Sequence, residues 1–164
     1  MTRIPAYALL LLLSSGIASA QGSISISLNS EDSRATVGPR RDAKDARLAI
    51  RTRDRSAMLL VMDDVIAIQL TDTALADLKS KKEETGFLEE LLAAGVRIAI
   101  GKSVEYPLAN IRSIEYRDGA LKITNDQNKP VFTELKVNGK DILRDFSGAD
   151  GAKLVRAWRE GGRG

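Results

Sequence analysis

The chain has 164 residues, with 25 basic and 22 acidic side chains, a formal charge of +3, and neither histidine nor cysteine. Those two absences exclude Ser-His-Asp and Cys-His nucleophile systems, the usual zinc, haem and copper ligand sets, and stabilisation by disulfides. Aromatic residues make up 4%, which argues against stacking platforms for sugars or single strands, and the near-balanced charge gives no case for nucleic acid as a partner.

Residues 1–20 read as a secretory signal peptide. Arg3 supplies a basic start, five consecutive leucines occupy 9–13, and Ala18-Ser19-Ala20 fits the small-x-small pattern before a cleavage site. The apolar stretch is too short to span a bilayer comfortably. The mature chain is expected to begin at Gln21, twenty residues shorter at 144, with a charge of +2 once Arg3 is removed. That length suits one domain with its own core. No cysteine follows the cleavage site, so a lipid-anchored N-terminus of the bacterial type is excluded. No later stretch is apolar enough for a transmembrane helix. An exported, cysteine-free chain is expected in a bacterial envelope, periplasmic or secreted.

Residues 21–45 are expected to form a strand followed by a mobile polar lead-in. Ser alternates with Ile and Leu over 23–28, a period-two signal, whereas 29–45 is polar and broken by Gly38-Pro39. A single α+β domain over 46–160 follows, with a flexible tail at 161–164. Within it, 48–51, 57–62 and 65–70 read as three strands of a meander joined by short polar turns. Residues 73–94 read as a helical insertion, kinked at Gly86, with Thr71 or Asp72 as its cap and Gly95 as its stop. Residues 96–100 and 103–106 alternate again, and Pro107 to Asn110 interrupts the strands.

Two hairpins come next, turning at Asp118-Gly119 and Asn138-Gly139, the dipeptides best suited to type I′ turns. A two-residue turn at Asp118-Gly119 pairs Arg117 with Ala120, Tyr116 with Leu121, Glu115 with Lys122 and Ile114 with Ile123. Its side chains are all accounted for by sheet stability, with none left over for chemistry. Ser147 and Asp150 form a short capping box for a C-terminal helix whose apolar stripe is Leu154, Val155 and Trp158. The expected fold is an antiparallel sheet or small barrel with a helical insertion and a C-terminal capping helix. The turn-then-strand rhythm of YPLANIRSIEY, residues 106–116, and the order of elements over 104–160 resemble a pleckstrin-homology-like barrel. In that fold a strand meander ends in a helix that plugs one open end. The resemblance implies a fold only.

The residue types present leave carboxylate pairs, Ser with Lys, and Tyr as possible chemistry. Asp63-Asp64 reads as a solvated turn between two apolar strands. Glu83-Glu84 and Glu89-Glu90 read as the polar face of an amphipathic helix beside Lys81 and Lys82. Ser80-Lys81 are neighbours that diverge on a helix. No phosphate-binding motif is present. Two binding surfaces stand out instead. Residues 34–55 hold eight basic and three acidic side chains, and Arg40, Arg41, Arg47, Arg51, Arg53 and Arg55 form a candidate surface for an anionic partner. Phe87, Leu88, Leu91 and Leu92 form a candidate partner-binding helix face.

The expectation is therefore an exported, non-catalytic binding or adaptor protein without cofactor or metal, engaging another envelope protein or an anionic surface. The alternatives are a small-ligand carrier using a barrel interior and a carboxylate-dependent cell-wall hydrolase, which needs two acids converging in a cleft.

Overall fold

A computed structural model describes residues 24–26, 34–85, 101–133, 135–137 and 140–161. Its centre is an open five-stranded antiparallel sheet built from β2 (Thr36–Pro39), β3 (Leu48–Arg51), β4 (Ala57–Val61), β5 (Val65–Leu70) and β6 (Lys102–Pro107). The strands lie in the order β2-β6-β5-β4-β3. The β3-β4-β5 meander follows from short apolar runs separated by polar turns. β1 (Ile24–Ile26), β9 (Leu135–Val137) and β10 (Lys140–Asp141) form a small second sheet, and β7 (Ile111–Arg117) pairs with β8 (Ala120–Asn125) in a third. Helix α1 spans Asp72–Thr85 and α2 spans Gly148–Gly161.

The sheet does not close into a barrel. β6 pairs with β5 and β2 and makes no ladder with β7, so the chain turns away through a short 3-10 turn at Leu108–Asn110. This corrects the barrel expectation and the pleckstrin-homology-like one, and it removes the closed interior on which the carrier alternative relied. A second correction concerns 29–45. Four of those residues form β2 at the sheet edge, where Pro39 at the strand end costs no central ladder bond.

Several local expectations hold. Thr71 caps α1, its Oγ1 accepting from Ala74 N at 3.2 Å. Ser147 and Asp150 make the capping box of α2, with Asp150 N donating to Ser147 Oγ at 3.1 Å and the hydroxyl donating back at 2.8 Å. The Asp118-Gly119 turn has φ of +57° and +72°, as a type I′ turn requires, and sets the expected register from Arg117–Ala120 to Ile114–Ile123. The helix face of Phe87, Leu88, Leu91 and Leu92, the strand at 96–100, the Asn138-Gly139 turn and the signal segment lie outside the described residues.

Both faces of the five-stranded sheet are covered. On the inner face, Leu59, Ile66, Tyr106 and their neighbours pack against Ile114, Leu121 and Ile123 of the hairpin, Phe146, and Leu154 of α2. Side chains of this kind each contribute about 1.5–3 kcal/mol on burial. On the outer face, Met58, Leu60, Met62 and Ala67 form a smaller buried cluster roofed by Ala43 and Ala46. The roof exists because β2 and β3 lie at opposite edges of the sheet. Residues 40–46 must cross the face between them, and they do so as a strap containing the 3-10 turn Ala43–Asp45.

Candidate functional site

The six arginines of the candidate surface are divided by this crossing. Arg41 lies on the strap and reaches Glu105 of β6 in a bidentate pair, Nε to Oε1 at 2.7 Å and Nη2 to Oε2 at 2.8 Å. The Arg41 backbone N–H donates to Gln69 Oε1 at 2.9 Å, and Gln69 Nε2 donates back to Arg41 O at the same distance. Ser103 Oγ lies 2.6 Å from Glu105 Oε1 and 2.8 Å from Pro39 O, and its single proton serves one of them at a time. The Arg41 guanidinium holds the Glu105 carboxyl below the usual glutamate range, against burial that pushes it up, with the Ser103 hydroxyl adding to the lowering. The carboxylate also sits where a side chain at position 38 would be: a Cβ on Gly38 would lie 2.5 Å from Oε1.

Arg40 is likewise engaged, donating to Leu70 O at 2.6 Å and to Asp72 Oδ1 at 2.8 Å. Arg47 binds Met62 O through Nη2 and Nε at 3.0 and 3.1 Å. Arg53 donates to Arg144 O at 3.1 Å and lies 3.5 Å from Asp145. The structure thus gives four of the six arginines of this segment partners within the fold. Four of its guanidinium groups hold the fold together, because the strap and the turn after β3 run against backbone carbonyls and carboxylates that need donors. Among the described residues, Arg51 and Arg55 are the two without an ion pair. The alternation behind the prediction is real over β3, where Arg47 and Arg51 are exposed and Ile50 is buried. Arg55 has left it, in a turn at φ +59°. Arg40, Arg41 and Arg51 do meet around a hollow of about 370 Å³ floored by Met58 and Gln69, with Asp42 and Asp72 beside them.

Of the acidic candidates, Glu89 and Glu90 lie outside the described residues and the side chains of Glu83 and Glu84 are not described, which leaves Asp63 and Asp64. Asp63 is 95% exposed and 3.7 Å from Arg47. The Asp64 carbonyl accepts from Leu108 N at 2.8 Å, so the pair serves the turn between β4 and β5. Among the described residues, no three acids come together as a metal-binding group.

A groove of about 990 Å³ lies between β7 and one flank of α2, lined by Glu115, Tyr116, Arg117, Ala152, Val155, Arg156, Arg159 and Glu160. It arises because α2 approaches β7 closely. A Cβ on Gly151 would fall 2.3 Å from Tyr116 Cδ2, so only glycine lets the helix sit on that ring. The ring is fixed further by Tyr116 Oη donating to Phe146 O at 3.3 Å. Ala152, Val155, Arg156 and Arg159 then fall along one flank at helical spacing. Among the described residues, Arg156 and Arg159 form no ion pair, and Arg117 has an exposed contact with Asp118 at 3.8 Å. A smaller groove of about 440 Å³ on the other flank is lined by Trp158, Arg47, Arg112 and Asp63, among others.

Sequence reasoning missed the larger groove. The signal available was Arg156 and Arg159 three apart on the flank carrying Ala152 and Val155. Their pairing with a strand some forty residues earlier is a tertiary fact. No family model, curated protein or solved structure matches this chain.

Proposed function

We propose that this chain is an exported binding or adaptor module of a bacterial envelope that engages an anionic protein partner, and that the engaging surface is the β7–α2 groove. The observation that carries the reading is the groove's three guanidinium groups, two of them without an ion pair among the described residues, around a concavity of about 990 Å³. Arginine presents planar donors suited to carboxylates, and a cation left unpaired within its own fold is available to a partner. Export is supported by the basic start, leucine run and Ala18-Ser19-Ala20 of residues 1–20. A binding role, as opposed to a catalytic one, is supported by the absence of histidine and cysteine from the sequence.

The test is affinity capture on the immobilised mature chain from an envelope extract. An anionic partner is retained at low salt, is released as ionic strength rises towards about 1 M, and is not retained by the R117Q/R156Q/R159Q variant. Retention unchanged by salt and by that variant rejects the reading. Export is checked by N-terminal sequencing of protein from the cell envelope, with Gln21 expected as the first residue.

A further inference from the structure

We propose that the β7–α2 groove takes an extended acidic peptide segment, which adds to the open edge of β7 as a further strand. This rests on the anionic-partner reading above and deepens it by specifying the partner's conformation and the backbone atoms that meet it.

The groove is lined by three successive residues of one strand, Glu115, Tyr116 and Arg117. Successive side chains of a strand point to opposite faces, so a groove on either face would collect alternate residues. Three in a row are collected by the edge. That edge is open, because β7 pairs with β8 and with no other strand among the described residues.

The hairpin register says which groups the edge offers. In a two-residue turn the flanking pair exchanges both of its backbone hydrogen bonds, and bonded and non-bonded pairs then alternate along the ladder. Arg117–Ala120 is the flanking pair, so Glu115–Lys122 is the next bonded one. Tyr116–Leu121 and Ile114–Ile123 are non-bonded pairs, and the N–H and C=O of Tyr116 and Ile114 therefore face away from β8. Ile114 is 3% exposed and does not line the groove, so the donor and acceptor that the groove presents are those of Tyr116. The run ends at the bulge between Ile111 and Ser113, where the register slips.

The lining selects the occupant. Tyr116, Ala152 and Val155 make an apolar floor, and Arg117, Arg156 and Arg159 carry the positive charge. An extended segment presents alternate side chains to opposite sides, so one set of small apolar residues and one set of carboxylates satisfies both. Glu115 and Glu160 also line the groove. Glu115 stands opposite Lys122 in the ladder, which offsets its charge, and Glu160 marks the end where carboxylates are not expected. The edge of β2 is less suited, since the strand ends in Pro39, which has no N–H.

The probe is a synthetic peptide of alternating Asp and Val, titrated into the purified protein. Amide hydrogen exchange is expected to slow about tenfold or more at Tyr116, while Glu115 and Arg117, already bonded to β8, change little. Methylating the backbone nitrogens along one edge of the peptide should weaken binding about tenfold, and along the other edge not at all. The R156Q/R159Q variant should weaken it as well. Binding that depends on both arginines but leaves the Tyr116 amide unchanged, with both methylated peptides equivalent, overturns strand addition and leaves the anionic-partner reading intact. No binding at millimolar peptide, or slowing of that amide by anionic vesicles in its place, overturns the proposal, and the capture experiment then decides the broader reading on its own.

Discussion

Two groups of arginines lie on opposite sides of the five-stranded sheet, and their circumstances differ. Those near the strap sit among carbonyls and carboxylates left over from the crossing of the outer face, and most become structural. Those on the flank of α2 stand beside a strand edge and a helix surface, and among the described residues Arg156 and Arg159 form no ion pair. Each hollow is lined by three arginines and two acids. What separates them is whether the fold itself has already used the donors. A basic cluster in a sequence is therefore a statement about supply, and the tertiary path decides demand.

That contrast can be broken most forcefully at the strap. Arg41→Met leaves Glu105, whose side chain is 7% exposed, without its charge partner, and should cost roughly 3 kcal/mol of stability by denaturant unfolding. A change under about 0.5 kcal/mol, the level of an ordinary surface substitution, would place the strap arginines with the free ones. The next largest effect belongs to the α2 side. Gly151→Ala forces a methyl against the Tyr116 ring and should cost about 2 kcal/mol, despite the better helix propensity of alanine. Gly148→Ala meets the same ring at 3.6 Å, ordinary contact, and should leave the melting temperature unchanged or higher.

A pH titration sharpens the comparison without altering the strap. Glu105 has a lowered folded pKa, so the folded state binds fewer protons than the unfolded one. Its contribution is fully present above the ordinary glutamate value of about 4.5 and is lost as pH falls through the lowered folded value. The stability gap between the wild type and Glu105→Gln should therefore be constant above pH about 5 and narrow progressively below 4.5. A gap independent of pH would mean that the pair contributes nothing through its charge. The smallest effect is expected at the groove. Arg156→Gln and Arg159→Gln should each stay within about 0.5 kcal/mol of wild-type stability while weakening binding of an acidic peptide. Loss of stability there comparable to that at Arg41 would erase the distinction.

The parts legible from the sequence were those whose determinants are neighbours in the chain. The Asp118-Gly119 turn fixes a register of four residue pairs because φ > 0 at both positions is a local matter. The β3-β4-β5 meander shows as apolar runs between polar turns, and Ser147 announces α2 through Asp150 three residues on. β2 was not legible. Its four residues end in Gly38-Pro39, and they are a strand only because β6 arrives to pair with them. The partners of the arginines were hidden for the same reason: Glu105, which Arg41 binds, belongs to a strand far along the chain. The groove was hidden more deeply, since a helix flank and a strand edge leave no joint trace in either segment. The hairpin side chains read as scaffold in the sequence, whereas Glu115, Tyr116 and Arg117 line the groove, and the proposed site draws on their side chains as well as on the backbone between them.

The Arg41–Glu105 pair joins positions 64 apart, whereas each strand of the meander pairs with one a few residues away. Closing the longer loop costs more chain entropy and gains nothing until β6 is in place. Loop closure alone therefore favours pairing of β3, β4 and β5 first, then β6 against β5, with β2 and the strap last. Until that moment the Met58, Leu60 and Met62 face is bare, so during folding it is the strap, more than the sheet, that stands between this protein and self-association.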